Sequence, residues 1–196
     1  MKKQVLSILG LSLCMAGPVA AQTTSFGLKA GLNVASLETS GTDLNGKAGL
    51  HVGGLAHIHI SPHFALQPEL MYSMQGGQRN NQTIKLNYVN IPFLAQYMAN
   101  DGFRLQTGPQ LGILAAAKSK TGDVEVDVKD NLSGTEFSWV FGAGYLFKQG
   151  WGIDGRFNLG LSNVDDNDNS TVKNRVFQIG VFYQFPTAGR GGRSHR

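Results

Sequence analysis

Charged residues are scarce in this sequence, cysteine is confined to its first segment, and long apolar runs are missing from the rest. Charged residues make up 15% of the 196 residues, against about a quarter in soluble domains. Because the one cysteine, Cys14, lies near the N-terminus, the remainder has neither disulfides nor thiol chemistry. No later stretch approaches the roughly 20 apolar residues of a spanning helix. Together with 26 glycines, these shortages predict much strand, little helix and a surface that need not be charged.

The N-terminal segment has the features of a secretory signal peptide. Lys2 and Lys3 precede an apolar run over residues 5–16, and small residues lead up to Ala21. We therefore expect cleavage after Ala21. This divides the chain into a signal peptide (1–21), a β-barrel domain (22–185) and a Pro/Gly-rich basic tail (186–196) that we expect to be disordered.

The positive charge of the chain lies at its two ends. The sequence has 17 Lys and Arg against 13 Asp and Glu. Without Lys2, Lys3, Arg190, Arg193 and Arg196, 12 basic residues face the same 13 acidic ones. The domain between the ends is thus nearly neutral, which gives no support for nucleic-acid binding.

Apolar and polar residues alternate with a period of two in eight segments, the pattern of half-buried β-strands. The predicted strands cover about residues 26–35, 47–60, 64–75, 83–98, 103–115, 135–147, 151–161 and 173–185. The fourth segment changes phase: Ile84, Leu86 and Tyr88 are even-numbered, whereas the apolar residues from Val89 onward are odd-numbered. A β-bulge near Tyr88–Asn90 is therefore predicted, because a bulge inserts one extra residue.

The connections between these strands alternate in length. Three are tight turns, at 61–63, 100–102 and 148–150, and four are longer, at about 36–46, 76–82, 116–134 and 162–172. This asymmetry is typical of membrane β-barrels. We predict an all-β fold, an eight-stranded antiparallel up-and-down transmembrane β-barrel, in the bacterial outer membrane. With the short turns on the periplasmic side, both termini are periplasmic.

The composition of the two strand faces indicates which one meets lipid. The apolar face carries aromatic residues near strand ends, as expected at bilayer interfaces: Phe26, Tyr72, Tyr97, Phe103, Phe147, Trp151, Tyr183 and Phe185. The opposite face combines glycines with charged residues. Because the interior of an eight-stranded barrel is just wide enough for side chains, we predict a structural ion network in the lumen, formed by Lys29, Glu69, Arg104, Glu136, Asp154 and Arg156.

Two other groups of residues have the residue types of metal sites without the complete pattern. His51, His57 and His59 share a face of the second strand, but no cysteine or carboxylate of that segment joins them, so we interpret them as lumen lining. The stretch 165–170 begins like a calcium loop but has Ser170 where glycine is required. With no catalytic motif in the chain, we predict no enzyme activity, catalytic residue, metal or cofactor.

Five stretches resemble the PorT-like family of outer-membrane β-barrels of Bacteroidetes: FGLKAGLNVASL, LQPELMYSMQGG, LNYVNIPFLAQY, GPQLGIL and WGIDGRFNLGLSNV. The resemblance covers roughly residues 24–185. It implies a small outer-membrane barrel of eight strands, and the family takes its name from a member linked to protein export. Most members have no assigned activity, so no functional residue is carried over. The tail after the last aromatic departs from the pattern.

Three functions remain open at this point. The leading hypothesis is a non-enzymatic envelope protein with a structural role or an accessory role in secretion or surface assembly. The second is a narrow channel for small solutes or ions. The third is a secreted soluble barrel that binds an apolar ligand. For the first we expect a monomeric barrel whose partners are outer-membrane lipid, with lipopolysaccharide and other envelope proteins as further candidates.

Overall fold

A computed structural model of the chain describes residues 23–39, 45–79, 82–122, 124–129, 132–162 and 172–186. The predicted signal peptide, the calcium-like stretch 165–170 and all but the first residue of the basic tail lie outside these ranges. Nine strands run through them: β1 Thr24–Thr39, β2 Asn45–His59, β3 Phe64–Arg79, β4 Gln82–Met98, β5 Phe103–Thr121, β6 Val124–Asp127, β7 Thr135–Leu146, β8 Trp151–Gly160 and β9 Val172–Gln184. No helix in the described ranges is long and apolar enough to cross a membrane.

Eight of the strands form a closed antiparallel barrel, which confirms the predicted fold. Neighbours along the chain pair with one another, β4 pairs with β5, and β1 pairs with β9. The first and last strands therefore seal the wall, with Gly27 opposite Gln184 and Thr39 opposite Val172. Closure removes every strand edge from the wall, which is the condition for a sheet to span lipid.

The sequence did not predict β6. It lies within the stretch 116–134, expected to be a loop, and pairs with the end of β5 between Lys118↔Asp127 and Thr121↔Val124. The resulting β5–β6 hairpin extends beyond the start of β7 at Thr135, beside the ends of β3 and β4, which reach the same level. The connection expected at 76–82 is also much shorter than predicted, because β3 and β4 continue to Arg79 and from Gln82.

The apolar face of each barrel strand points outward and the polar face points into the lumen. On β9, for example, Phe177, Ile179 and Val181 are each more than half exposed, whereas Gln178 is buried. An exposed apolar surface of this extent indicates a lipid-facing wall. The hypothesis of a soluble barrel with an apolar ligand cavity is wrong, because it requires the opposite arrangement.

The end of the barrel at residues 60–63, 99–102 and 147–150 is here called the turn end, and the opposite end the loop end. Gly102 and Gly150 adopt positive φ values of 101° and 88° in two of these turns, a conformation that glycine adopts without steric cost. The predicted aromatic residues collect at this end, with the exception of Tyr72. Phe64 and Tyr97 contact each other edge to face, with 5.4 Å between ring centroids, and Trp151 and Tyr183 lie 4.8 Å apart. These residues form one aromatic girdle at the turn end, whereas girdles at both ends were expected.

The β-bulge lies beside Tyr88, as predicted, but it is in β5 and not in β4. Between Asn87↔Ala116 and Tyr88↔Leu114 the register shifts by one residue, so Ala115 of β5 is the extra residue. Strand β4 keeps one phase throughout, and its Leu86 and Tyr88 point into the lumen, where they pack with Leu114. The apparent change of phase in the sequence therefore reflects an apolar patch inside the barrel near the loop end.

Candidate functional site

The lumen is the candidate site, because it gathers the charged side chains predicted from the sequence. Its lining consists mainly of buried polar residues, and amide side chains recur along its height: Asn33, Gln67, Gln75, Asn90, Gln96, Gln106, Gln110, Asn158, Asn174 and Gln178. Each of them occupies an inward position of its strand. Amide side chains offer both donors and acceptors, so they stabilise buried charge without adding charge.

Four of the six predicted charged residues form one ion-paired group, here called the lumenal quartet. Arg156 of β8 binds Glu69 of β3 through two parallel hydrogen bonds of 2.6 Å, from Nη1 to Oε2 and from Nη2 to Oε1. The Nε atom of Arg156 lies 2.9 Å from Oδ2 of Asp154. Lys29 of β1 donates from Nζ to the same Asp154 oxygen. The quartet therefore joins three strands across the lumen, and its formal charges cancel.

Neutral amides add hydrogen bonds to the quartet. Gln106 Nε2 donates to Asp154 Oδ2 at 3.2 Å, and Gln106 Oε1 accepts from Arg156 Nη2 at 3.1 Å. Gln67 Nε2 donates to Glu69 Oε1 at 2.7 Å. A buried ion pair is stable only if its remaining donors and acceptors are also satisfied. The amides supply such partners to both carboxylates and to Arg156 Nη2, while Arg156 Nε has only its ion pair with Asp154. The sequence analysis did not identify these amides, although they share the inward phase of the charged residues.

Two glycines on β7 make room for the quartet. Gly142 pairs with Arg156 and Gly144 with Asp154. A Cβ atom on Gly142 would lie 2.9 Å from Arg156 Cγ, and one on Gly144 would lie 2.9 Å from Asp154 Cβ. Both distances are shorter than carbon–carbon contacts allow, so Arg156 and Asp154 occupy space that only glycine leaves free.

The other two predicted residues lie apart from the quartet. Arg104, the second residue of β5, is close to the turn end, and its Nη1 donates to Gln96 Oε1 at 3.2 Å. Glu136, the second residue of β7, is close to the loop end and accepts hydrogen bonds from Asn174 Nδ2. The expected single network of six is thus a neutral quartet with a cation on one side and an anion on the other.

The histidines of β2 have hydrogen-bond partners in the lumen lining. His51 Nδ1 lies 2.6 Å from Asn33 Oδ1, and His57 Nδ1 lies 3.2 Å from Gln67 Oε1. His59 is near the turn end, 3.3 Å from the carbonyl oxygen of Thr23. Within the described ranges, no three His, Cys, Asp or Glu side chains are arranged to hold a metal ion together.

A second group of charges lies outside the wall, on the β5–β6 hairpin. Lys85 and Lys118 are directly opposite each other on β4 and β5, and Glu125 of β6 binds both at 2.8 Å. These two hydrogen bonds lower the pKa of the Glu125 carboxyl group to about 2. One carboxylate therefore offsets the repulsion between two facing ammonium groups.

Comparisons with known proteins agree with this architecture. A family model described as an outer-membrane protein β-barrel domain matches residues 20–166. The crystal structure of neisserial surface protein A superposes with a TM-score of 0.60 at 16% identity, over 83% of this chain and 99% of that protein. Ail, the attachment invasion locus protein of Yersinia pestis, gives a TM-score of 0.52 at 15% identity, over 82% and 98%. At these identities the likeness shows the fold alone. No curated protein matches the sequence.

Proposed function

Because the chain belongs to the outer-membrane β-barrel domain family, we propose that it is a non-enzymatic envelope protein with an accessory role in secretion or surface assembly. The observation that carries this proposal is the lumenal quartet. In an eight-stranded barrel the lumen is just wide enough for side chains, and here four of them are tied together across it. A lumen filled in this way leaves the ends of the barrel as the surfaces through which the protein acts.

The proposal includes an orientation and a processing step. Residues 1–21 are a signal peptide removed on export, both termini of the barrel are periplasmic, and the β5–β6 hairpin faces the outside of the cell. The basic tail at 186–196 then lies in the periplasm, where it is available to envelope proteins.

Lipopolysaccharide is the lipid partner that we propose for the outer rim. Lys85 and Lys118 lie on the outside of the wall, above the apolar positions Ile91 and Ile113 of the same strands. Lysine side chains at this level of the barrel can meet the phosphates of the outer leaflet, because anionic membrane surfaces attract basic residues. The facing pair therefore anchors the rim as well as supporting the hairpin.

Conductance in planar lipid bilayers tests whether the lumen is closed. We expect the full chain to give no conductance steps, because the quartet fills the lumen. The double variant Glu69→Ala/Arg156→Ala removes one buried pair without changing the net charge and should conduct. The matched control, Lys118→Ala/Glu125→Ala, removes an exposed pair and should stay closed. Regular steps from the unsubstituted chain would contradict the closed lumen.

Deletion of the gene in its own bacterium tests the accessory role. We expect a specific set of secreted or surface proteins to be lost from the cell surface, while uptake of small solutes is unchanged. The full chain should restore that set, and a chain with residues 119–126 replaced by a short Gly/Ser turn should restore it poorly. An unchanged surface proteome in the deletion strain would exclude the accessory role.

A narrow channel is the second candidate function. The observation in its favour is that polar side chains recur in the lumen from Gln96 near the turn end to Asn174 near the loop end, beside the apolar patch there. Polar lining is suited to water and ions. In this case the quartet would be a gate rather than a plug. Conductance from the unsubstituted chain, with its ion selectivity altered in Glu136→Gln or Arg104→Gln, would support the channel over the accessory role.

A further inference from the structure

Arg104 is a buried cation without an acidic partner. Its exposed fraction is 7%, and among the described residues no Asp or Glu forms an ion pair with it. The sequence before β1 and after β9 contains no Asp or Glu either. A guanidinium group stays protonated in proteins, so Arg104 keeps its charge, and burial of an uncompensated charge is very unfavourable. A small anion beside Arg104 would therefore stabilise the barrel.

Most of the hydrogen-bonding capacity of Arg104 is unused. Its Nη1 atom donates to Gln96 Oε1 at 3.2 Å, and among the described residues its Nε and Nη2 atoms have no acceptor. A guanidinium group holds five N–H donors in a fixed fork, and this fork matches the oxygen atoms of phosphate and carboxylate groups. The unused donors are therefore suited to an oxyanion.

A cavity of about 440 Å³ lies beside Arg104 at the turn end and is here called the turn-end pocket. Because one water molecule takes up roughly 30 Å³ of the liquid, the pocket has room for a phosphate group and the atoms attached to it. The polar side chains that line it are Ser25, His59, Asn100, Asp101, Arg104, Lys148 and Gln184. With two cations against one carboxylate, this lining carries one net positive charge.

The other polar groups of the pocket leave donors for an anion. Ser25 Oγ accepts a hydrogen bond from Gln184 Nε2, so the hydroxyl hydrogen of Ser25 is available to a ligand. The Asp101 carboxylate accepts a hydrogen bond of 3.1 Å from the backbone N–H of Phe103, which holds it within its own turn. Lys148 is exposed in the neighbouring turn. Arg104 is thus the buried charge of the pocket, and the other charges lie toward its rim.

Backbone hydrogen bonds fix the rim of the turn-end pocket. The N–H group of Leu146 donates to the carbonyl oxygen of Gly102 at 2.9 Å, and that of Gln184 donates to the carbonyl oxygen of Gly150 at 2.9 Å. A Cβ atom on Gly102 would lie 2.4 Å from the Leu146 carbonyl oxygen, so only glycine permits this approach of the two strands. The pocket is therefore formed before a ligand binds, which lowers the entropic cost of binding.

A second cavity, of about 270 Å³, lies on the lipid-facing side of the same strands. The apolar side chains of Phe103, Tyr145 and Ile153 line it, and it is here called the wall groove. Phe103 stands between two residues of the turn-end pocket, 102 and 104, and Tyr145 directly precedes two others, 146 and 147. The pocket and the groove therefore lie at one level, on opposite faces of β5 and β7.

A phospholipid has the chemistry of both cavities, because it joins one phosphodiester group to apolar acyl chains. The single negative charge of the phosphodiester cancels the net charge of the pocket lining. We propose that the turn-end pocket binds the headgroup of one anionic phospholipid, with the phosphate on Arg104 and an acyl chain in the wall groove. Free phosphate would use the pocket and leave the groove unoccupied. This site depends neither on the proposed orientation nor on the accessory role.

Native mass spectrometry of the refolded full chain tests the site, in a nonionic detergent free of phosphate. We expect one molecule of dihexanoyl phosphatidylglycerol per barrel. Dihexanoyl phosphatidylcholine should bind more weakly, because its ammonium group cancels the charge of an otherwise similar lipid. Arg104→Gln should weaken phosphatidylglycerol binding by roughly 10- to 100-fold, the range for loss of a charged hydrogen bond. The matched control Arg175→Gln, an exposed position near the loop end, should keep the affinity.

Thermal unfolding distinguishes lipid binding from a purely structural role of Arg104. Without phospholipid, Arg104→Gln should have a Tm at least as high as the unsubstituted chain, because it lacks the uncompensated charge. With phosphatidylglycerol at about 100 times Kd the order should reverse, since the unsubstituted chain gains roughly 5 °C. A Tm of Arg104→Gln that is equally lowered with and without the lipid would overturn the proposal.

A second variant keeps the test independent of substitution in the wall. Lys148→Gln removes an exposed charge of the pocket lining and should weaken phosphatidylglycerol binding several-fold. Equal affinity for phosphatidylglycerol and phosphatidylcholine, or full affinity in both Arg104→Gln and Lys148→Gln, would exclude the site. Displacement of phosphatidylglycerol by an equal concentration of inorganic phosphate would assign the pocket to free phosphate, and the lipid proposal would fail.

Discussion

The bidentate pair between Arg156 and Glu69 is the interaction whose loss we expect to cost most. Glu69→Ala leaves the Arg156 guanidinium buried with Asp154 as its remaining carboxylate, in a place that Lys29 already shares. Breaking a buried pair by removal of one partner typically costs about 3–5 kcal/mol. We expect a loss of that order in the free energy of unfolding, measured with denaturant in detergent micelles or lipid vesicles.

The control for Glu69→Ala is Glu69→Gln, which keeps two polar atoms in the same place. We expect a smaller loss from it, because one hydrogen bond to the guanidinium survives. Equal stability of the Glu69→Ala variant and the unsubstituted chain would mean that the lumen is hydrated enough to solvate Arg156, and the quartet would then not be a plug.

Gly142 permits a second prediction about a single residue. In Gly142→Ala the added Cβ would lie 2.9 Å from both Arg156 Cγ and the Gly155 carbonyl oxygen. Overpacking of this kind typically costs about 1–3 kcal/mol, so the same unfolding measurement should show a loss. Gly134→Ala is the matched control, because nothing lies within 4 Å of its added Cβ, and a comparable loss there would contradict the packing argument.

The lumenal residues show how far sequence reasoning reaches for a barrel. Alternation placed all six charged side chains on the inward face, because the period of a strand is two. It could not show that Lys29, Glu69 and Arg156 meet, since contact across a lumen depends on the register of strands far apart in sequence. The same limit explains why Arg104 and Glu136 were assigned to a network that they do not join.

At the scale of the elements, the β5–β6 hairpin should depend on pH only in strong acid. Its Glu125 carboxyl group has its pKa lowered from 4.5 to about 2 by hydrogen bonds from Lys118 and Lys85. A lowered pKa means that the stabilisation is fully present above pH 4.5 and is lost as the pH falls through about 2. NMR titration of the Glu125 side chain should give a midpoint near 2, with the hairpin still paired at pH 4.

Substitution of one lysine checks the cause of that shift. Lys118→Gln removes the charged hydrogen bond from the Lys118 ammonium group and should move the midpoint of Glu125 upward toward its ordinary value. Lys129→Gln, a change of the same kind just beyond β6, should leave the midpoint where it is. A midpoint near 4.5 in the unsubstituted chain would show that the three side chains do not meet in solution.

The two departures from the predicted strands have separate physical causes. Four residues, Val124–Asp127, give too short an alternation to be distinguished from a loop, so β6 was not found. In β4, Leu86 and Tyr88 were interpreted as lipid-facing because apolar residues were assumed to point outward. They pack inside, against Leu114 beyond the bulge. A binary pattern reports polarity, and it gives the direction of a side chain only where the lumen is polar.

At the scale of the whole molecule, the absence of cysteine after Cys14 gives a clean test of orientation. Single cysteines in place of Val124 on the hairpin and Gln149 in a turn would lie at opposite ends of the barrel. In intact cells a membrane-impermeant maleimide should label the cysteine at position 124 and leave that at position 149 unlabelled until the outer membrane is permeabilised. The reverse pattern would place the hairpin in the periplasm and the proposed orientation would fail.

The fold as a whole was predictable, because few architectures other than a barrel contain eight alternating segments joined by three tight turns and four longer connections. At the turn end the wall strands start and end close to the predicted positions, as in β8, which starts at Trp151 as expected. At the loop end β1, β3 and β5 continue to Thr39, Arg79 and Thr121, where 35, 75 and 115 were expected. The height of the wall was not predictable. Strand β5 has 19 residues and β8 has 10, and this inequality depends on pairing beyond the apolar band, where the sequence carries no lipid signal.

The pairing of β1 with β9 determines when the barrel can close during the synthesis of the chain. One side of β1 pairs only with residues 172–184. The first strand to be synthesised therefore cannot complete its hydrogen bonds until the last strand has been made. Until then both strands present unpaired backbone groups, which promote aggregation and which lipid does not satisfy. A nascent or interrupted chain therefore has no stable form in the bilayer. Stable insertion into the membrane therefore requires a chain that has been made through β9.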